Sequence, residues 1–258
     1  MKAAEMFSLK GRVALVTGAS SGLGTQFARA LADNGAAIAL VARRADRLNA
    51  LKDEIEGKGG KAAAIEADVT DRAAMTRAFD AAEKAFGTVT VLVNNAGIAH
   101  GGRVTELSPD DWRRMMSTNL DAVFFWAQEA ARRMLAAKAQ GSIVNIASVL
   151  GLMVAKGGAS YATAKAGVVQ MTKALAVELA FKGVRVNAIA PGWFVTEMND
   201  DYLLSEKGAA IKREIPMGRF GNAGDLDGAL LLLASDAGAY ITGATIVVDG
   251  GQVVQIKG

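Results

Sequence analysis

Short runs of apolar and β-branched residues alternate along the chain with longer amphipathic stretches. The runs predict strands at 13–16, 37–41, 89–93, 142–146, 184–189 and 245–248. Strands that alternate with helical stretches are typical of βαβ units, in which the strands pair in parallel. Because the runs are continuously apolar, helices should cover both faces. The pattern predicts an α/β fold: a doubly wound parallel sheet with helices on both faces.

Two long helices are marked by their ends. Ser108 is followed by Pro109 and two acidic residues, an order that is typical of an N-cap, a first helical position and a positive helix end. This predicts a helix through Trp112 to about Ala137. A second helix is predicted from about residue 159 to 181, ending before Gly183, because glycine can take the left-handed C-terminal cap.

Length and composition exclude several kinds of protein. The 258 residues contain no cysteine and one histidine, His100, which excludes disulfides, cysteine nucleophiles and a histidine-rich metal site. The net charge of +3 is spread over short basic clusters, so no nucleic-acid partner is expected. No stretch approaches the ~20 apolar residues of a membrane span. We expect a soluble, cytoplasmic protein with no metal, and, since no linker or repeat divides the chain, one domain over 1–258.

A glycine-rich segment, TGASSGLG at 17–24, lies where the first strand must turn into the first helix. Glycine permits a tight turn and close approach of the backbone to a pyrophosphate, and the helix N-terminus adds free N–H groups. The spacing is GxxxGxG rather than the usual GxGxxG, and a plain turn is the alternative. The segment indicates a Rossmann-type dinucleotide site, with contacts predicted at Gly18, Ser20, Ser21, Gly22, Leu23 and Gly24.

The second predicted strand ends in Arg43 and Arg44. In dinucleotide folds an acid at this place pairs with the ribose 2′-hydroxyl of NAD, whereas arginine accommodates the 2′-phosphate of NADP. The arginine fork can make charge-assisted, bidentate bonds to that phosphate. No acidic residue stands between the end of this strand and Asp46. NADP (NADPH) is therefore the preferred cofactor and NAD the second choice, and a solvated basic turn is the alternative.

Further residues follow in a characteristic order. They are Asp68, Val69, Asn94, Asn95, Ala96, Gly97, Asn119, Ser148, Tyr161, Lys165, Pro191 and Gly192. With the glycine turn, they make the chain resemble the short-chain dehydrogenase/reductase family over nearly its whole length. The resemblance implies that Asp68 and Val69 flank adenine, that residues 95–97 support the cofactor, and that Pro191 and Gly192 border the nicotinamide. It also implies that Thr196 bonds the carboxamide.

The chemistry implied by the resemblance is hydride transfer to or from a carbonyl carbon. The oxygen then gains negative charge and needs a proton and a hydrogen-bond donor. Tyr161 is predicted to be the general acid in reduction and the base in oxidation, and Lys165, four residues on and on the same helix face, should lower its pKa. Both are also predicted cofactor contacts, with Lys165 at the nicotinamide ribose. Ser148 would bond the substrate oxygen; it lacks the histidine and acid of an acyl-enzyme site. Asn119, a poor helix former, is assigned to a water chain that feeds Lys165.

The substrate is expected to be a hydrophobic ketone or secondary alcohol. A segment at about 193–217 resembles the substrate lid of the family and mixes charges with apolar residues, with core packing as the alternative for the latter. The residues behind this expectation are Leu150, Leu152, Met153, Val154, Phe194, Met198, Tyr202, Leu203, Leu204 and Met217. His100 could point into the pocket, although an exposed loop position is the alternative.

Three functions are compatible with these residues. The first is an NADP-preferring ketone reductase or alcohol dehydrogenase. The second is a reductase of 3-oxoacyl thioesters on an acyl carrier protein, and the third, from a different class, is a non-catalytic dinucleotide sensor on the same fold. The resemblance further implies a homo-oligomer, a tetramer or a dimer, associated through the two long helices and residues 249–255.

Overall fold

The computed structural model describes residues 2–99, 101–197 and 200–255, and within them seven strands form one parallel sheet. In chain order the strands are β1 (Val13–Thr17), β2 (Ala37–Ala42), β3 (Lys61–Glu66), β4 (Val91–Asn94), β5 (Gly141–Ile146), β6 (Val184–Pro191) and β7 (Thr245–Val248). They lie in the order β3-β2-β1-β4-β5-β6-β7. The order reverses between β1 and β4, and at such a switch point the carboxyl ends of the strands leave a crevice. The predicted fold class is confirmed.

Helices cover both faces of this sheet. In chain order the described helices are α1 (Ala3–Met6), α2 (Gly22–Asp33), α3 (Ala45–Gly57), α4 (Arg72–Phe86), α5 (Pro109–Met116), α6 (Ala122–Ala136), α7 (Ala159–Leu179), α8 (Asp200–Leu203), α9 (Glu206–Arg213) and α10 (Asp227–Ala234). Side chains of β1 alternate between two buried clusters: Val16 packs with Phe27 of α2, and Leu15 packs with Trp126 of α6. Within the described ranges, no helix has both the length and the apolar character that crossing a membrane requires.

The first long helix is interrupted at the predicted asparagine. Ser108 caps α5 as predicted, because its hydroxyl oxygen accepts from the N–H of Asp111 at 3.0 Å. Between α5 and α6 the chain makes a π-helical turn at Ser117–Asp121, and Asn119 lies in it. The second long helix, α7, continues as a short 3₁₀ turn to Lys182, and Gly183 has a left-handed φ of 80°. Both helices and both caps are therefore confirmed.

The strand β3 was missed from the sequence. Its residues, Lys-Ala-Ala-Ala-Ile-Glu, contain one β-branched residue after three alanines, and alanine is depleted in strands, so strand propensity gives little signal there. Pairing with β2 along six residues determines its conformation. This edge strand carries the chain toward Asp68, which is one of the predicted site residues.

Candidate active site

A cleft of about 710 Å³ lies at the carboxyl ends of β1 to β6. The residues that follow these strands line it, so the sheet itself brings distant parts of the sequence together. The predicted site residues that line it are Gly18, Ser20, Ser21, Gly22, Leu23, Arg43, Arg44, Asp68, Val69, Asn95, Ala96, Gly97, Ser148, Tyr161, Lys165, Pro191, Gly192 and Thr196. Two predicted residues, Gly24 and Asn119, are not among the lining residues.

The glycine turn between β1 and α2 leaves backbone surface open to the cleft. Gly18 and Gly22 have positive φ angles of 67° and 56°, which favour glycine. A Cβ at Gly18 would lie 2.9 Å from the Cα of Ala96. A Cβ at Gly24 would overlap the carbonyl oxygen of Gly18. The missing side chain at Gly24 therefore lets α2 pack closely on the turn, and the predicted cofactor contact at Gly24 stays a prediction. The turn fits a pyrophosphate, because the first N–H groups of a helix have no intrahelical partner and the N-cap side chain, Ser21, does not cap those of α2.

Buried hydrogen bonds hold the ends of β1 and β4 together beneath the turn. The hydroxyl oxygen of Thr17 accepts from the N–H groups of Asn95 at 3.0 Å and Ala96 at 3.1 Å. The Asn95 amide donates back to the carbonyl oxygen of Thr17 at 3.0 Å. Asn94 donates to the Asn145 side chain on β5 at 3.0 Å. These bonds fix the floor of the cleft, which agrees with the supporting role that the resemblance implies for residues 95–97.

Ser148, Tyr161 and Lys165 converge at one end of the cleft. Ser148 follows β5, and its hydroxyl accepts from the N–H of Leu150 at 3.1 Å. Tyr161 and Lys165 project from the same face of α7, and the Lys165 Nζ lies 5.7 Å from the centre of the Tyr161 ring. The same Nζ donates to the carbonyl oxygen of Ile146 at 2.8 Å. The three side chains that the sequence predicted to share one site are therefore neighbours.

Burial shifts the pKa values of Tyr161 and Lys165 in opposite directions. It raises the pKa of the Tyr161 phenol, while a hydrogen bond with Ser148 acts in the opposite direction. It also lowers the pKa of the Lys165 ammonium to about 8. The prediction that Lys165 lowers the Tyr161 pKa is wrong for this structure. The ammonium is directed at the Ile146 carbonyl, and loss of water around the phenol outweighs the other influences on it.

Asn119 lies behind the cleft rather than in it. Its side chain is fully buried, donates to the carbonyl oxygen of Ile98 at 2.8 Å and accepts from the Ile98 N–H at 2.8 Å. A Cβ at Gly97 would lie 3.3 Å from the Asn119 Oδ1 and 3.8 Å from the Lys165 Nζ. Gly97 thus separates the amide from the ammonium, and the Asn119 side chain contacts the main chain that supports the site.

The opposite end of the cleft carries arginines and acids. The Arg44 Nη2 donates to the hydroxyl oxygens of Ser21 at 2.6 Å and Ser20 at 3.1 Å. Arg43 is largely exposed and lies 3.9 Å from Asp68. A bond from the Thr70 backbone N–H, more than Arg43, lowers the Asp68 pKa. Of the two arginines, Arg44 is the one that is tied to the glycine turn.

Several lining residues were not predicted. They are Ala42, Ala67, Thr70, Ile98, Arg114, Ser117, Thr118, Ile146, Ala147 and Glu197. Thr70 and Ala147 directly follow predicted site elements, so their position after a strand could have indicated them. Arg114 on α5 and Glu197 beyond β6 have no local signature, because a charged residue on a helix or loop is usually solvated.

The described structure does not place the apolar residues that follow Ser148 in the cleft. Leu150, Leu152, Met153 and Val154 are not lining residues, and Val154 is 80% exposed. Of the predicted lid, Phe194 lines the cleft, while Leu203 is buried elsewhere and Leu204 and Met217 are exposed. The predictions for His100, Met198 and the Tyr202 side chain lie outside the described residues.

Comparison with known proteins gives matches over nearly the whole chain. A family model described as enoyl-(acyl carrier protein) reductase matches residues 18–252. Gluconate 5-dehydrogenase of Gluconobacter oxydans is 38% identical over 253 residues, which cover 98% of each protein. The 3-oxoacyl-[acyl-carrier-protein] reductase of Thermotoga maritima is 38% identical over 246 residues, covering 95% of this chain and 99% of that protein.

A solved structure extends the likeness to the fold. The crystal structure of a gluconate 5-dehydrogenase from Burkholderia cenocepacia, in complex with NADP and tartrate, superposes with a TM-score of 0.94 at 36% identity. The alignment covers 99% of this chain and 100% of that one. The parallel sheet and its helical layers are therefore shared along the full length.

Proposed function

We propose that this chain, which belongs to the short-chain dehydrogenase/reductase family, is an NADP(H)-dependent oxidoreductase that interconverts a ketone and a secondary alcohol. One observation carries the proposal. Ser148, Tyr161 and Lys165 open onto the same cleft as the glycine turn, so a proton donor and a dinucleotide site share one space. A protein that only sensed the dinucleotide would have no need of the buried lysine beside a tyrosine.

The cofactor would be held along the cleft by residues from both sides of the switch point. The turn at Gly18–Gly22 would hold the pyrophosphate, Asp68 and Val69 the adenine, and Arg43 and Arg44 the 2′-phosphate. Pro191, Gly192 and Thr196 would border the nicotinamide. When bound, NADPH supplies a hydride and NADP⁺ accepts one.

Tyr161 supplies the proton at the substrate oxygen. Because burial raises its pKa, the phenol stays protonated at neutral pH, which is the state that an acid in carbonyl reduction requires. The Ser148 hydroxyl would donate a hydrogen bond to the same oxygen and stabilise the charge that develops there. Lys165, with a pKa of about 8, is mostly cationic at neutral pH and would keep positive charge next to the phenol.

Asn119 acts as a positioning residue in this proposal. Its side-chain amide is hydrogen-bonded to the main chain of Ile98, so we assign it no contact with substrate or cofactor. The π-helical turn around it changes the backbone bonding beside Lys165, which is compatible with the water chain that the resemblance implies. Its contribution is to hold the segment after β4 against the lysine side of the cleft.

For the substrate we place a hydroxyl-rich alcohol, such as a sugar acid, ahead of a hydrophobic one. Two similar proteins are named gluconate 5-dehydrogenase, and the apolar residues after Ser148 do not line the cleft. A 3-oxoacyl thioester is the second candidate, because another relative is named for that reaction. In both cases residues 193–217 would cover the substrate.

We also propose a homo-oligomer, a tetramer or a dimer. Val177 on α7 and Phe181 just beyond it are 82% and 99% exposed and share a helix face, and in the described residues β7 pairs with β6 alone. Sedimentation of the purified protein tests this: a monomer at micromolar concentration would contradict it.

We propose a cytoplasmic location, where reduced nicotinamide cofactors are regenerated, and cell fractionation is its test.

The proposed reaction is tested by following nicotinamide absorbance at 340 nm. The panel consists of gluconate with NADP⁺ or NAD⁺, and of a 3-oxoacyl thioester and an apolar aryl ketone with NADPH or NADH. Oxidation of gluconate with NADP⁺ is the expected result. Turnover of the thioester alone would favour the second candidate, and cofactor binding without turnover of any compound would favour the sensor.

A further inference from the structure

The carboxylate of Glu197 lies between two arginines at the phosphate end of the cleft. Its two oxygens lie 2.5 and 2.8 Å from the Nη1 of Arg47, and one of them lies 3.5 Å from the Nη1 of Arg44. Glu197 and Arg44 line the cleft, whereas Arg47 does not. The cleft therefore contains an anion of the chain itself, held closely by one arginine and loosely by the other.

Arg44 is also the best-placed receptor for a phosphate. It donates to the hydroxyl oxygens of Ser20 and Ser21, and a hydroxyl that accepts in this way keeps its own proton to donate. Arg44 and the two serines thus present several donors to an anion. NADP differs from NAD by the 2′-phosphate that such donors would bind.

The segment that carries this carboxylate lies next to the glycine turn. A Cβ at Gly22 would lie 3.3 Å from the Cβ of the preceding residue, Thr196, so the segment that carries Glu197 lies against the glycine turn. Hydrogen bonding to Arg47 lowers the Glu197 pKa, and the group stays ionised at neutral pH. A phosphate at Arg44 would therefore meet a negative charge that shares the same guanidinium.

We propose that Glu197 determines the discrimination between NADP and NAD, because its carboxylate competes with the 2′-phosphate for Arg44. Arg47 limits this competition by retaining the carboxylate. The inference rests on the proposed function only in that the cleft binds a nicotinamide dinucleotide. It assigns to Glu197 a penalty against NADP that NAD, with a neutral 2′-hydroxyl, does not meet.

Two substitutions follow from this arrangement. Glu197→Gln keeps the shape of the side chain and removes its charge, so binding of the 2′-phosphate should strengthen. Arg47→Met releases the carboxylate to Arg44 alone, so binding of the 2′-phosphate should weaken although Arg47 lies outside the cleft. In the double variant no carboxylate remains, and the weakening should disappear.

The test is calorimetric binding to the purified full chain, without turnover. Adenosine 2′,5′-bisphosphate and 5′-AMP report on the phosphate alone, and NADP⁺ and NAD⁺ report on the whole cofactor. We expect Glu197→Gln to tighten the bisphosphate and NADP⁺ by about three- to tenfold, on the scale of a partly exposed charge contact, and to leave 5′-AMP and NAD⁺ unchanged. Glu54→Gln is the matched control: Glu54 on α3 forms a bidentate pair with Arg29 on α2, and neither residue lines the cleft.

Three results would overturn the inference. The first is an equal change in affinity for both members of a ligand pair in Glu197→Gln, which would show that Glu197 supports the structure without acting on the 2′-phosphate. The second is the same gain in NADP⁺ and bisphosphate affinity in Glu54→Gln, which would show that the gain comes from the net charge of the protein. The third is an Arg47→Met loss that persists in the Glu197→Gln background, which makes Arg47 a phosphate ligand. A wild type that prefers NAD⁺, with a variant shifted toward NADP⁺, would overturn the proposed cofactor preference and support the role of Glu197.

Discussion

The side chain of Asn119 holds the main chain of Ile98 by two hydrogen bonds, one to its carbonyl oxygen and one from its N–H, each 2.8 Å long. The pair joins the π-helical turn to the segment that follows β4. Gly97, next in sequence to Ile98, lies between the Asn119 amide and the Lys165 ammonium. The part of the cleft around Lys165 therefore depends on the Asn119–Ile98 hydrogen bonds, although the Asn119 side chain does not itself line the cleft.

Asn119→Ala should leave both Ile98 groups without their partner. We expect the free energy of unfolding to fall by about 2 kcal/mol. We also expect kcat to fall while KM for the cofactor changes little, because the main chain next to Lys165 shifts. Urea unfolding and steady-state kinetics measure the two effects. Asn34→Ala, which removes one bond to Ala30 far from the cleft, is the control. Equal effects of the two substitutions on kcat would refute the positioning role.

Gly24 and Gly57 form a matched pair of helical glycines. A Cβ at Gly24 would overlap the Gly18 carbonyl, whereas a Cβ at Gly57 meets nothing within 4 Å. Gly24→Ala should lower the free energy of unfolding by about 2 kcal/mol or more through overpacking and weaken NADPH binding. Gly57→Ala should raise that free energy by about 0.5 kcal/mol through helix propensity. Urea titration and fluorescence titration with NADPH test both, and a neutral Gly24→Ala would exclude the close packing of α2 on the turn.

Lys165 should make stability depend on pH in an unusual direction. Burial lowers its pKa from 10.5 to about 8, so between these values the unfolded chain binds more protons and stability rises with pH. The penalty for burying the charge is complete below pH 8, at about 3 kcal/mol, and is gone above 10.5. Lys165→Met should therefore be more stable than wild type at pH 7, and the difference should shrink as pH rises. The measurement is urea unfolding at several pH values, with the exposed Lys173→Met as control; a constant difference would contradict the shifted pKa.

The two arginines after β2 should differ in their effect on cofactor choice. Arg44 bonds both serines of the glycine turn, whereas Arg43 is 73% exposed. Arg44→Ala should weaken NADPH binding by about tenfold or more, the scale of a charge-assisted bond, and change NADH binding little. Arg43→Ala should have a smaller effect. Fluorescence titration with each cofactor measures these affinities. A larger loss of NADPH affinity in Arg43→Ala than in Arg44→Ala would show that Arg43, rather than Arg44, is the main contact of the 2′-phosphate.

Local patterns predicted much of this molecule, and contacts between distant residues account for what they missed. The apolar runs identified six strands, and the Ser108 cap and Gly183 identified the ends of the long helices. The strand β3 was missed because its pairing with β2, rather than its own residues, makes it a strand. Glu197 was missed because its partners, Arg44 and Arg47, lie about 150 residues earlier in the chain.

The error on the Tyr161 pKa has the same origin. Spacing along a helix correctly placed Lys165 next to the phenol, and charge alone predicted a lowered pKa. The sequence could not give the degree of burial, nor the Ile146 carbonyl that takes the ammonium. Burial is set by the packing of α7 against β6 and against the 3₁₀ turn that follows β5, and it decides the direction of the shift.

Tyr161→Phe tests whether Tyr161 transfers the proton in an NADPH-dependent reduction. The substitution removes one hydroxyl, and Tyr240→Phe removes the same group from a fully exposed position. We expect kcat to fall by about 10²- to 10⁴-fold in Tyr161→Phe while its NADPH affinity stays within a few-fold, and we expect Tyr240→Phe to match wild type. Near-normal kcat in Tyr161→Phe with any substrate that the wild type reduces would contradict proton transfer by Tyr161.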